Sequence, residues 1–530
     1  MHEIPPFSLP EFRNFIPEKI RPWIIIAFVI VFQLSGGVYL AALGEMSGSL
    51  ALMREDILMA GYASLAGLAL TFAIMFRLKF RFPLKQTFII CSSAIIIGNI
   101  IVVNTSSVPL MFGVCFITGI FRMWGTFGCN SAIQLWLTPK RDLSVFFCYI
   151  ELLVQGMIEI GGITTIYTAF FAKWEYMYLL VIGLFLIVII TTIIIFRTIR
   201  TLPKLPLFGI DWVGILLWCT VALSLVFIMV YGDFYDWFNS PVIWTALITA
   251  IVTLGLNLWR SSFIRHPFYE LKTWRYKPLY YSLIIYLVIS TLNAPSRVLE
   301  EMYMGVILHY DTLNIASMKL WALAGIAIGA FFSWRTFAIR KWRYKTMTTI
   351  GFSFLVLYLI LFYFVVDFNL PKEALILPIL ARSIGFVILS ITLLTALSLI
   401  PFTNFFQAVS IQGFFSAAIA SAFGEAIVGR LFKVLVCKNS MLLGSEIDNV
   451  NVLVKNFSLG ELYGIVQIQA IAVSMKEIFG WLILVGLGTL MIYMLRESSL
   501  RPTFAIHPKY RTIRRYIKHQ LRMDKADKQF

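Results

Sequence analysis

Apolar segments of about twenty residues alternate with short polar gaps along nearly the whole chain. The pattern predicts helical spans at 22–44, 57–76, 86–104, 108–137, 143–171, 175–199, 209–231, 242–261, 278–301, 314–338, 346–366, 374–400, 405–436 and 477–497. Stretches such as Trp23 to Leu43 or Leu179 to Phe196 are long enough to cross a hydrocarbon layer about 30 Å thick as a helix. In lipid a helix satisfies every backbone N–H and C=O within its own segment. The expectation is therefore an all-α membrane protein with about 14 transmembrane helices.

The spans group as six, two and six. A first bundle covers 22–199, two extra linker helices fall in 200–277, and a second bundle covers 278–500. A polar segment at 1–21 precedes them and a basic tail at 501–530 follows. The gap at 437–476 is the one long gap on its side, expected as an outer loop with room for a short helix.

Hydrophobic residues make up 59% of the chain and charged residues 13%, with mean hydropathy +0.84. A soluble chain carries about twice that charge. The net charge of +17 would suit nucleic acid, but its placement points to a bilayer instead. Basic residues gather in alternate gaps: Arg13, Lys19 and Arg21; Arg77, Lys79, Arg81 and Lys85; Lys140 and Arg141; Arg197, Arg200 and Lys204; the stretches 260–277 and 335–345; and the tail. This positive-inside pattern predicts that both termini are cytoplasmic, with the tail drawn to anionic headgroups. The polar first 21 residues and the length of the first apolar run argue against a cleaved signal peptide. Cys91, Cys115, Cys129, Cys148, Cys219 and Cys437 show no paired spacing and imply no disulfide.

The two six-helix blocks echo one another, as in many secondary transporters, where the site lies between the halves. The second and tenth segments both end in basic, aromatic-rich loops. The fourth and twelfth each carry one arginine, Arg122 and Arg382, and the fifth and thirteenth each carry an acid beside glycine, Glu159 and Glu425. An ionisable group inside a span is costly and points to function. Glu151, Gln155, Glu159 and Gly162 are spaced by four, four and three, which sets them on one face of the fifth helix. Glu159, Glu151 and Glu425 are the candidates for carrying a proton from one side to the other. The alternative is a Glu locked in a structural pair with Arg122 or a neighbouring hydroxyl. Gln155, Arg122, Arg382, Tyr39, Tyr62 and Trp124 are candidates for lining a substrate cavity, the aromatic rings by stacking on flat or cationic molecules. Arg297, Glu300 and Glu301 near one end of the ninth span, and Arg77 and Arg81 near the end of the second, are gate candidates. Arg297 and Glu301 are four apart and suited to pair along a helix. Asp211 stands where an acid caps the seventh helix.

Several phrases resemble the fourteen-helix drug:proton antiporter branch of the major facilitator superfamily, the EmrB/QacA type. The longest is 206–241, with Asp211-Trp212-Val213-Gly214 followed by Gly232, Trp237 and Ser240-Pro241. It is similar to that branch's extra seventh helix and the loop after it. Pro267-Phe268-Tyr269-Glu270-Leu271 resembles the entry to its second half, and Leu34 with Ala42-Leu43 resembles its first helix. Pro139 and Arg141, then Gly161-Gly162 and Trp174, resemble the surroundings of its fifth helix. The chain departs from it in four places. Ser35 stands where the first helix has an acid, Met157-Ile158 replace a Gly-Pro pair, the loop Arg77 to Lys85 lacks the gating Gly and Asp, and the fourth-helix arginine would fall near Cys115. The resemblance implies a major facilitator fold and proton-driven efflux of a lipophilic or amphipathic small molecule from a bacterial inner membrane. The proton gradient serves in place of any cofactor. In double-membraned bacteria it also implies a periplasmic adaptor and an outer-membrane channel as partners.

An enzyme is not expected. His2, His266, His309, His507 and His519 are scattered outside the spans, away from the clusters a metal needs, and no Gly-rich phosphate loop ends in Lys-Ser/Thr. Two other readings stand beside the exporter: a non-transporting sensor or assembly protein on a transporter fold, and a transporter for one nutrient or siderophore.

Overall fold

A hydrocarbon layer offers the backbone no partner but itself, and this chain meets that demand with helices. The structure, a computed structural model, describes residues 11–139, 142–199, 205–207, 209–368, 370–447 and 457–495. The predicted basic tail, with Lys140, Arg141, Arg200 and Lys204, lies outside the described residues. The first half contains α1 (Arg21–Leu34), α2 (Arg54–Arg81), α3 (Leu84–Val103), α4 (Val108–Leu137), α5 (Leu143–Phe171) and α6 (Tyr176–Ile195). Two linker helices follow, α7 (Trp212–Tyr231) and α8 (Pro241–Phe263). The second half contains α9 (Lys277–Ile307), α10 (Thr312–Ile339), α11 (Tyr344–Val365) and α12 (Lys372–Leu399). It closes with α13, which runs from Phe402–Phe414 through a π-wound turn at Phe415–Ala420 into Ser421–Ser445, and with α14 (Leu459–Leu495).

Among the described residues twelve helices are long and apolar enough to cross a membrane, all of those above except α1 and α13. Glu425, Arg430, Lys433 and Lys438 dilute the hydropathy of α13. The span expected at 22–44 is broken: α1 stops at Leu34, and an extended stretch leads to a short helix at Leu43–Leu50. Gly37 makes the break possible. It sits at φ +84°, and a Cβ there would meet Thr118 Oγ1 at 3.0 Å on α4, so a side chain would be strained in conformation and in space. The outer gap expected at 437–476 is mostly helix, because α13 continues to Ser445 and α14 begins at Leu459.

Each half has its own core. One gathers Phe28, Phe32, Phe88, Phe185 and Phe196, and the other gathers Tyr303, Tyr358, Phe362 and Phe479. Glycines set the tightest contacts at equivalent places. A Cβ on Gly119 of α4 would lie 2.0 Å from Ser64 O on α2, and one on Gly67 of α2 would lie 2.2 Å from Phe116 O on α4. In the second half a Cβ on Gly325 or Gly329 of α10 would press on the α12 backbone at Leu380 or Ile384. Small residues let helix backbones close in where lipid gives no hydrophobic push.

The linker helix α7 lies along the seam between the halves, with Val226 and Tyr231 packed among Met59 and Tyr62 of α2 and Ala418 and Ala422 of α13. Its start is capped by Asp211, which accepts from Gly214 N at 2.9 Å and pairs with Arg260 of α8 at 2.5 Å. Its other end is fixed on both sides. Tyr231 donates to the buried Asp56 of α2, and Asp233 takes Arg430 at 3.2 Å and Lys433, both on α13.

Two outcomes follow. Gly119→Leu forces α2 and α4 apart and costs about 1–3 kcal/mol or more, read as a lower melting temperature in detergent. Gly488→Leu, where nothing lies within 4 Å, leaves it unchanged. At Asp233 burial works against the charge, but Lys433 and Arg430 hold the carboxyl below its ordinary 3.8. Its contribution is then present above that value and lost as pH falls through the lower folded one. The melting-temperature gap between wild type and Asp233→Asn should be constant at neutral pH and close below pH 3.8.

Candidate functional site

A cavity of about 780 Å³ lies between the halves, lined from α2, α4 and α5 on one side and from α9, α12 and α13 on the other. Its rim at the basic end carries Glu11, Lys79, Arg81 and Phe402, and its far end carries Arg297, Ser421 and Glu425. Between them the wall is largely aromatic. Phe72 stacks on Phe406 at 5.6 Å, Phe76 meets Phe406 at 4.6 Å, and Phe127 lies 5.7 Å from Phe72. Glu11 reaches the rim because the segment before α1 is pinned: Arg197 N donates to Glu11 O at 2.7 Å, and Phe12 is buried against Phe196. Burial pushes the Glu11 carboxyl up from 4.5, and Lys79 opposes that.

The far end is closed by a cluster around Glu425. Arg297 pairs with it at 2.6 Å, Tyr62 donates to it at 2.9 Å and Ser421 at 3.2 Å, while Arg297 also donates to Ser421. Arg297, Ser421 and Glu425 belong to the second half, whereas Tyr62 comes from the first. The helices that carry the cluster are irregular beside it. Pro295 interrupts α9 two residues before Arg297, because proline lacks the N–H the helix needs. On α13 the π-wound turn ends at Ala420, just before Ser421, and π-turns of this kind recur at functional sites. Gly424 brings the two helices together: a Cβ there would lie 2.7 Å from Ser290 O on α9.

In the middle of the cavity Arg122 is 8% exposed and donates to Gln33 O at 2.8 Å and to Gln33 Oε1 at 3.1 Å. The structural pair considered for Glu159 and Arg122 does not form. Glu151 and Gln155 both line the cavity, joined by a 3.2 Å hydrogen bond. Trp124 lines it too, against Phe82 at 5.1 Å.

Other candidates lie elsewhere. Glu159 is absent from the cavity lining, although it shares a helix face with Glu151; its field reaches Arg297, Arg382 and Glu300. Arg382 does not line the cavity but forms a buried pair with Glu300 at 3.3 Å. The pair expected between Arg297 and Glu301 is replaced by Arg297–Glu425 and by Lys319–Glu301 at 3.2 Å. Tyr39 is packed in the first core against Tyr178, with its hydroxyl toward Asn99 at 3.4 Å. Tyr62 lies outside the cavity lining as well, behind the cluster it bonds to. Arg77 donates to Pro206 O at 3.3 Å, whereas Arg81 lies on the rim.

One link escaped the sequence reading. Asp142 at the start of α5 accepts from Ser144 N at 3.0 Å and is paired across the halves with Lys341, just after α10. The position of Asp142 before an apolar run is an N-cap signal; nothing in the sequence indicates Lys341. Among the described residues no group of three His, Cys, Asp or Glu is placed to hold a metal ion.

No known family's sequence profile and no curated protein sequence matches the chain. Solved structures do resemble it. A peptide transporter POT in complex with alafosfalin is 15% identical, with a TM-score of 0.56 over 91% of this chain and 95% of its own. The tetrameric PepTSo2 is 12% identical, with a TM-score of 0.54 over 90% of this chain and 98% of its own. A structure concerned with substrate recognition in proton dependent oligopeptide transporters is 12% identical, with a TM-score of 0.55 over 90% and 98%. At such identities the likeness is one of fold: this chain shares the all-helical fold of these solved transporters.

Proposed function

We propose that the protein is a secondary active transporter that moves a lipophilic or amphipathic small molecule by alternating access. The observation that carries this reading is the closure of a largely aromatic cavity, lined by both halves, at one end by a single breakable cluster. Tyr62 of the first half bonds to Glu425, and Glu425 is also the partner of Arg297. Protonating Glu425 removes the charge that both partners bind, since hydrogen bonds to an ionised group are the stronger ones. Proton uptake there would release the far end. Glu151, in the cavity and bonded to Gln155, is the second candidate proton carrier.

The finer assignment rests on the sequence resemblance. The EmrB/QacA branch it points to has fourteen helices, whereas twelve of the described helices here are long and apolar enough to span. That branch suggests proton-driven drug or metabolite efflux from a bacterial inner membrane, with both termini cytoplasmic and a periplasmic adaptor and outer-membrane channel as partners.

The gate is tested without knowing the substrate. A cysteine at Asn293, in a protein whose six native cysteines are replaced, should react with an impermeant maleimide added at the far face. The rate should rise by about tenfold or more in Glu425→Ala, which leaves Arg297 and Tyr62 without their shared partner. An unchanged rate would remove Glu425 from the gate. Coupling is read in energised everted vesicles carrying a pH-sensitive dye, with a panel of lipophilic compounds added. Compound-dependent proton movement should be lost in Glu425→Gln and kept in Glu159→Gln; the reverse result would return the coupling role to Glu159.

A further inference from the structure

The charges around the cavity do not balance locally. At the rim Glu11 offsets Lys79, and at the far end Glu425 offsets Arg297. Arg81 on the rim and Arg122 and Glu151 in the interior remain, with no opposite charge paired to them among the described residues. Arg122 is the most enclosed of these. Its bonds go to the neutral carbonyl and amide oxygens of Gln33, and its Nε has no acceptor. The indole N–H of Trp124, on the same helix and equally buried, has none either. A buried guanidinium is ordinarily held by an anion, and planar, fork-shaped donors match carboxylate, sulfonate or phosphate oxygens. The two bonds to Gln33 use the donors of Nη2 and leave those of Nε and Nη1 for a ligand. The same chamber offers the rings of Phe72, Phe76, Phe127 and Phe406 to an apolar body.

Resting on the transporter reading of this cavity, we propose that its ligand is an amphipathic monoanion. The head is seated on Arg122, and the apolar body lies against the phenylalanine rings toward the rim. Glu151, in the same chamber, disfavours a second negative charge on the ligand and is the group that would favour a cation instead.

The test is equilibrium binding of radiolabelled decanoate to the full-length protein in phosphatidylcholine nanodiscs, corrected with empty discs. Saturable binding is expected, displaced by decanesulfonate and not by decyltrimethylammonium. Arg122→Gln should weaken it by about tenfold or more, the scale of a charge-assisted bond, with Arg122→Lys intermediate. If Arg122→Gln does not fold, Arg122→Lys, which keeps the charge and loses the planar fork, should still weaken binding severalfold. The proposal is overturned if decanoate and decanesulfonate do not bind saturably, if the alkylammonium competes equally well, or if a folded Arg122→Gln binds as wild type. It is also overturned if phosphatidylglycerol in the disc abolishes decanoate binding, which would give the site to a lipid headgroup. Binding needs no gradient, so intact binding without flux would sink the transport reading alone. Flux with no preference for anions would sink this proposal alone.

Discussion

A half-buried carboxylate between helices is held by donors, and at Glu425 those donors come from both sides of the molecule. Arg297 and Ser421 hold it from its own half, and Tyr62 reaches it from the other. The third of these bonds is the one made across the halves at that end of the cavity. At the opposite end Asp142 and Lys341 join the halves, beside the basic rim. Each polar link is local, and each depends on charge. Between them the contacts across the seam are mainly rings and aliphatic groups, which slide more readily than a buried ion pair separates.

The interior of each half is built in the opposite manner. Gly67 and Gly119 let α2 and α4 touch backbone to backbone, and Gly325 and Gly329 do the same for α10 and α12. Such contacts have no slack, so each half is expected to move as a body. The irregular places lie next to the gate: the proline in α9 and the π-turn in α13 precede Arg297 and Glu425 directly. Rigid halves with irregular helices beside a polar seal suit rocking about a fixed central site.

Much of this was legible in the sequence, because the membrane restricts what an apolar segment can be. Segment length and the alternation of basic gaps gave the helices, and the acids inside spans pointed to Glu151 and Glu425. Helix periodicity misled in one place. It paired Arg297 with Glu301 by spacing, where a partner on another helix, 128 positions away, prevails. The break in the first span was hidden because Gly36-Gly37 sit in an otherwise apolar run, and the φ of Gly37 is a tertiary requirement. The α13–α14 hairpin read as a loop because its helical ends are polar, and hydropathy does not distinguish a polar helix from a loop. Tyr62 could not be matched to Glu425, since 363 positions separate them.

The fixings at the end of α7 carry a mechanical consequence. Tyr231 is tied to the first half through Asp56, and Asp233 is tied to the second through Arg430 and Lys433. Only Gly232 separates the anchor residues, a reach of about 7 Å from one to the other when fully drawn out. The turn after α7 is therefore a leash across the seam. While both knots hold, the two halves can part at this end by no more than that short tether and its side chains allow.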